Sequence, residues 1–158
     1  MFQHDSNHVK ILFRYYSHIL DKWTVETMWA IIVDTAKGLY KLDSIPYYGP
    51  MVASDDIVFA EYDDDEKMLT YRTTVEYSGN SIVLVVLMDK TRDINNIRNI
   101  FNESGCISEK VNEGYFSMEI PFDKEYTSIK KKLIDLKKEG VIDYSEPCLS
   151  DKHSKELS

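Results

Sequence analysis

The sequence has few of the residues from which redox and metal sites are usually built. It contains only two cysteines in 158 residues, Cys106 and Cys148, too few for a disulfide framework and too far apart for a Cys-x-x-Cys pair. Its four histidines fall in the terminal segments and in one predicted turn: His4, His8, His18 and His153. The sequence therefore predicts no metal, no cofactor and no catalytic residue.

Closely spaced glycines and long hydrophobic runs are also absent. The six glycines are isolated, whereas a phosphate-binding loop needs several together before a helix. No apolar run reaches the length of a membrane span, and the first residues lack the basic start and apolar stretch of a signal peptide. Hydrophobic residues at 43% and aromatic residues at 12% are typical of a folded protein. We therefore expect a folded cytoplasmic protein.

Negative charge is concentrated in one segment. The net charge is −8, and residues 43–66 contain eight acidic residues and no Lys or Arg: Asp43, Asp55, Asp56, Glu61, Asp63, Asp64, Asp65 and Glu66. This distribution disfavours direct binding to nucleic acid, because phosphate backbones are negative. It favours a basic protein partner.

The first half of the sequence alternates between apolar and polar residues, as strands with one buried face do. The alternation predicts strands near residues 9–15, 25–33, 39–42, 57–62 and 68–77, with the acidic run at 63–66 as a hairpin tip. We expect residues 1–78 to form a small β-barrel or a bent antiparallel sheet.

The second half predicts the order strand, helix, strand, strand, helix, strand. Asp93 and Asp123 are the expected helix N-caps. This order indicates a ferredoxin-like βαββαβ half over residues 79–150, with Ile82–Met88 and Tyr115–Ile120 central and the two cysteines at opposite edges. The fold class is therefore α+β, and the polar residues 151–158 are expected to be a flexible tail.

A candidate partner-binding surface follows from the acidic segment and two tyrosines beside it. Tyrosines near carboxylates provide rigid aromatic area together with charge that complements a basic partner. The residues predicted to bind the partner are Tyr47, Tyr48, Asp55, Asp56, Asp63, Asp64 and Asp65. Two alternatives remain open: the carboxylates at 63–66 are a solvated hairpin tip, or one or both tyrosine rings close the end of the barrel.

Four short motifs resemble a known family. They are Glu26–Ala30 with its Trp-Ala pair, Tyr40–Gly49 with Leu-Asp-Ser-Ile-Pro, Val52–Val58 with Asp before Ile-Val, and Ser78–Ser81 with Ser-Gly. In this order they resemble the bacterial domain-of-unknown-function family 4265 over most of residues 9–150. The sequence departs from the family pattern at Ser44, where Asn is usual, and at Tyr47, where Phe is usual.

The resemblance implies a small bacterial protein but no reaction. Relatives of this size and acidity are similar to immunity proteins encoded beside polymorphic or contact-dependent growth-inhibition toxins. We therefore expect a non-enzymatic antitoxin that binds a cognate toxin domain, such as a basic nuclease, in the cytosol. The alternatives are a regulatory or small-ligand-binding module with a cleft between the two halves, and an enzyme whose site is assembled from scattered residues.

Overall fold

The computed structural model describes residues 7–18 and 20–158. The chain divides into two compact units, Met1–Ser78 and Gly79–Ser158, and the change in hydrophobic pattern falls at the same place in the sequence. The architecture is a mostly-sheet α+β fold, as expected. In the part of the chain that the structure describes, no helix is long and apolar enough to cross a membrane.

Five strands form the N-terminal unit. They are β1 (His8–Ser17), β2 (Lys22–Asp34), β3 (Leu39–Leu42), β4 (Ile57–Asp63) and β5 (Met68–Glu76). Successive strands pair antiparallel, and the sheet closes into a barrel where β1 and β5 pair parallel, with Leu12 opposite Thr70.

The barrel core is made by the inward side chains of these strands and by Val52 of the β3–β4 loop: Ile11, Phe13, Met28, Ala30, Tyr40, Leu42, Val52, Val58 and Ala60. Because side chains alternate along a strand, Arg14 and Tyr16 of β1 lie on the outer face. Their antiparallel register partners Val25 and Trp23 of β2 lie on the same outer face. The sequence predicted β2 only from Val25, but the strand begins three residues earlier.

The C-terminal unit contains four strands and three helices. They are β6 (Ser81–Leu87), α1 (Ile94–Asn102), β7 (Ile107–Asn112), β8 (Tyr115–Ile120), α2 (Thr127–Lys138), β9 (Ile142–Cys148) and α3 (Asp151–Glu156). The sheet order is β7-β8-β6-β9, with every neighbouring pair antiparallel. The two strands predicted at the centre therefore lie there. Cys106 directly precedes one edge strand and Cys148 ends the other, and no disulfide joins them.

The predicted helix caps have different outcomes. Asp93 caps α1, because its side chain accepts the N–H of Asn95 at 2.8 Å. Asp123 does not cap α2, contrary to the expectation. That helix begins at Thr127 with Tyr126 at the N-cap position, because the residues after Pro121 first form a turn in which the N–H of Lys124 bonds to the Pro121 carbonyl.

The C-terminal segment is a helix, so the expectation of a flexible tail over residues 151–158 is wrong for Asp151–Glu156. Ser150 caps α3 by accepting the N–H of His153 at 3.1 Å. The ring of His153 is fully buried, with Nδ1 2.6 Å from Ser81 Oγ and Nε2 2.9 Å from the Lys124 carbonyl. One buried histidine thus anchors a segment whose composition is otherwise polar.

Candidate partner-binding surface

The tyrosines predicted to bind a partner lie in the β3–β4 loop, which Glu26 fastens to the barrel. Glu26 Oε2 accepts the N–H of Tyr47 at 2.5 Å, and Oε1 accepts the N–H of Tyr48 at 3.1 Å and the hydroxyl of Tyr15 at 2.8 Å. Glu26 lies on the inward face of β2, since its register partner is the core residue Phe13. Its carboxylate therefore fixes the backbone of the loop.

Asp56 is a structural residue of the same loop. Its side chain is 1% exposed, with Oδ2 accepting the N–H of Ala53 at 3.0 Å and Oδ1 accepting the N–H of Ser78 at 2.8 Å. Burial raises the pKa of this carboxyl, although both hydrogen bonds favour its charged form. The expectation that Asp56 offers an exposed carboxylate to a partner is therefore wrong.

Asp55, the neighbour of Asp56, points outward. It has a left-handed backbone with φ 68°, a conformation that Asp tolerates better than most residues, and its Oδ1 lies 3.9 Å from Lys41 Nζ. Tyr47 is exposed at 41% and Tyr48 is half-buried. The loop thus presents Asp55 and Tyr47 at the surface, with Tyr48 between surface and core.

The carboxylates at 63–66 form the β4–β5 hairpin tip, and Asp63 organises the turn. Asp63 Oδ1 accepts the N–H of Asp65 at 2.9 Å and that of Glu66 at 3.0 Å, while Oδ2 pairs with Arg72 at 2.9 Å. These hydrogen bonds, with Arg72 the largest influence, lower the pKa of Asp63. Within residues 7–18 and 20–158, Asp64 and Asp65 form no ion pair and are exposed.

The structure separates the predicted surface into two parts. The loop precedes Ile57, the first residue of β4, and the acidic tip begins at Asp63, the last. Six steps along a strand span about 20 Å. Asp55 and the acidic tip therefore lie at opposite ends of β4, whereas Tyr47 and Tyr48 lie beside Glu26 of β2.

An ion pair joins the acidic tip to the outer face of β1. Glu66 Oε1 lies 2.5 Å from Arg14 Nη2 and 3.0 Å from Arg14 Nε. Arg14 is opposite Val25 in the β1–β2 register, and Tyr16, two residues further along β1, is opposite Trp23. The tip is therefore continuous with the outward side of the β1–β2 hairpin.

That side of the hairpin carries the aromatic residues that the sequence analysis missed. Trp23 is 69% exposed, and its ring meets the ring of Tyr16 edge-on at 6.1 Å and 83°. Val25, also outward, is 50% exposed. The signal was present in the sequence, because the alternation that places Val25 on one face extends back to Trp23.

A small pocket lies in the C-terminal unit where α1 begins. Its volume is about 290 Å³, and it is lined by Leu87, Lys90, Arg92, Asp93, Ile94, Glu113 and Gly114. Lys90 Nζ donates to the Leu87 carbonyl at 2.7 Å, and Asp93 caps the helix. Two of the four charged groups around this pocket are thus engaged in holding the fold.

The comparisons with known proteins agree with this architecture. The model of DUF4265, a domain of unknown function, matches residues 26–144. The chain belongs to the DUF4265 family. A crystal structure described as that of a hypothetical protein from Neisseria gonorrhoeae is similar, with a TM-score of 0.79 and 25% identity over 93% of this chain and 99% of that one. No curated protein matches the chain.

The DUF4265 match includes some parts of the surface and excludes others. Its first residue is Glu26, the carboxylate that fastens the β3–β4 loop, and it includes both that loop and the acidic tip. Tyr16 and Trp23 precede it. The motifs at 26–30 and 40–49 therefore correspond to a structural contact, in which Glu26 holds the backbone after Pro46.

Proposed function

We propose that this DUF4265 protein is a non-enzymatic immunity protein that binds and neutralises a cognate toxin domain with a basic surface, such as a nuclease, in the cytoplasm. The observation that carries the proposal is the acidic tip: Asp64 and Asp65 are exposed, form no ion pair with any residue in the described ranges, and stand on a turn that Asp63 fixes. A rigid pair of unneutralised carboxylates suits a cationic partner.

The charge of the N-terminal unit supports the same partner chemistry. Residues 1–78 contain thirteen Asp or Glu and seven Lys or Arg, whereas residues 79–158 contain fourteen and twelve. Most of the excess negative charge therefore belongs to the barrel. Such a field accelerates encounter with a basic protein, and the acceleration decreases as salt screens the charges.

The sheet order β7-β8-β6-β9, with α1 and α2 as the crossover connections, supports a ferredoxin-like classification of the C-terminal unit. In our proposal this unit performs no chemistry of its own. Fold alone does not determine function, so the proposal depends on a direct test of toxin neutralisation.

Growth rescue tests the proposal. The C-terminal domain encoded by the reading frame directly upstream is induced in bacteria with and without this chain, and the pair is then purified together. We expect the domain to stop growth alone, to be harmless when the chain is present, and to co-purify with it. A harmless domain, or one that kills equally in both cultures, would overturn the immunity proposal.

Charge reversal tests the contribution of the acidic tip. Asp64→Lys with Asp65→Lys leaves the Asp63 turn intact, which a reversal at Asp63 would not. Glu125→Lys with Glu139→Lys, at two exposed sites in the C-terminal unit, is the control with the same change in net charge. We expect the first pair to slow association with the upstream-encoded domain at least tenfold more than the control at low salt, with the difference shrinking as salt is added. Equal rates would exclude the tip from the interface.

A further inference from the structure

We propose that the outer face of the β1–β2 hairpin, formed by Tyr16, Trp23 and Val25 and called the hairpin face below, is the apolar anchor for the same basic partner. The inference rests on the proposed function and extends it. It assigns binding energy to residues outside the acidic segment. The partner it fits is a protein whose basic patch adjoins an apolar pocket.

The first support is the exposure of large apolar side chains that are held in place. Trp23 is 69% exposed, yet it is packed edge-on against Tyr16, whose ring also meets His18 at 5.2 Å. The Tyr16 hydroxyl donates to Asp21 at the hairpin turn. Little side-chain freedom therefore remains to be lost on binding, which is what makes Trp and Tyr effective anchors.

The second support is continuity with the acidic tip, which specifies the partner's chemistry. The Arg14–Glu66 ion pair connects the tip to β1. Arg14 faces Val25 across the ladder, and Tyr16 and Trp23 are the outward cross-strand pair two residues further along. In the proposed complex, one partner surface of ordinary size, about 800 Å², covers both the acidic tip and Trp23. Its cations would meet the tip while an apolar pocket receives the indole.

The electrostatic and apolar parts have separable kinetic roles. Exposed carboxylates such as Asp65 mainly set the association rate, whereas a buried aromatic anchor mainly sets the dissociation rate. Truncating Trp23 is therefore expected to accelerate dissociation about 30-fold or more, the size of a hot-spot effect. The association rate is expected to change much less.

The test uses the full-length chain and the upstream-encoded domain as the probe. The test variants are Trp23→Ala and Val25→Thr, and the matched control is Val33→Thr. Val33 is on the same strand as Val25 and is 49% exposed, against 50% for Val25, but lies about 26 Å further along β2. We expect both test variants to dissociate faster than wild type and the control to dissociate at the wild-type rate.

The outcomes distinguish the two proposals. In one outcome the chain rescues growth and binds the domain, while Trp23→Ala dissociates no faster than Val33→Thr. That result would overturn the hairpin face as the anchor and leave the immunity proposal standing. If the upstream-encoded domain neither kills nor binds, the immunity proposal fails. A photo-crosslinking residue placed at position 23, with position 33 as control, then tests the face in the cells that encode the chain.

In that second experiment the identity of the captured protein decides the outcome. A basic protein cross-linked from position 23 but not from position 33 supports the hairpin face, provided that the purified protein dissociates faster from the Trp23→Ala variant. An acidic protein overturns the assigned partner chemistry. The same cross-links from both positions, or none from position 23, overturn the hairpin face itself.

Discussion

Glu26 holds Tyr47 through the backbone: its Oε2 accepts the Tyr47 N–H at 2.5 Å, while Oε1 accepts the Tyr48 N–H. A loop without regular structure is thereby tied to the middle of a strand. The same loop contains Ser44, whose Oγ accepts the N–H of Trp29 at 3.2 Å. The side chains of Glu26 and Ser44 thus fasten the loop to β2 beyond the end of β3.

Glu26→Ala is expected to destabilise the chain by about 2 kcal/mol, because two backbone N–H groups and the Tyr15 hydroxyl lose their acceptor. Urea unfolding measures the loss, and amide hydrogen exchange should show faster exchange at Tyr47 and Tyr48. Glu76→Ala, at an exposed site of β5, is the control. Equal stability and unchanged exchange in the two variants would contradict the role of Glu26.

Asp56→Asn is expected to destabilise the protein, because an amide oxygen accepts only one of the two N–H groups that Asp56 holds. Burial raises the pKa of Asp56 above that of the unfolded chain. Its stabilising contribution is therefore fully present below the unfolded pKa, about 3.9, and decreases as pH rises through the folded value.

The difference in free energy of unfolding between wild type and Asp56→Asn should consequently be larger near about pH 4 than near about pH 7. Urea unfolding of both proteins at the two pH values measures it. This difference cancels the pH-dependent contributions of carboxylates that both proteins contain, such as Asp63. A difference that shrinks on acidification would show that the hydrogen bonds outweigh burial at Asp56.

His153→Ala is expected to cost about 3 kcal/mol, because it removes a fully buried ring and leaves Ser81 Oγ and the Lys124 carbonyl without this partner. Lys155→Ala, at an exposed position of α3, should cost far less. Thermal unfolding compares the two. If both variants have the same unfolding midpoint as wild type, α3 does not contribute to the stability of the C-terminal unit.

The two thiols are expected to react at different rates. Burial raises the pKa of Cys106 to about 12, so almost no thiolate forms at neutral pH, whereas Cys148 is half-buried at the end of an edge strand. A disulfide-exchange reagent should therefore label the Cys106→Ser variant as fast as the first thiol of wild type. The Cys148→Ser variant should label only as fast as the protein unfolds. Rapid labelling of Cys148→Ser would contradict the buried environment of Cys106.

Alternation and helical spacing predicted the strands and the two longer helices because these patterns record which face of an element is buried. The central position of β6 could be read from Ile82–Met88, where every residue is apolar. Asp93 could be recognised as a cap because its hydrogen bond is local. These features depend on residues close together in the chain.

The site was predicted less well because it depends on how distant segments meet. A run of carboxylates does not show that Asp56 turns inward to bind the N–H of Ser78, twenty-two residues away. Nor does it show that a seven-residue strand separates Asp55 from the tip. The burial of His153 was equally hidden, since its partners Ser81 and Lys124 lie in other elements.

Both units place their first strand beside their last: β1 pairs with β5 at Leu12 and Thr70, and β6 pairs with β9. A ribosome must therefore release nearly all of each unit before its sheet can be completed. Until then the first strand of the unit, β1 or β6, has unpaired backbone groups along one edge. Such long-range closure slows folding relative to a chain built from local contacts. Residues 1–78 of a nascent chain are thus expected to remain protease-sensitive until Ser78 has left the exit tunnel. Residues 79–158 are expected to remain sensitive until β9 has left it as well, so that resistance appears in two separate steps.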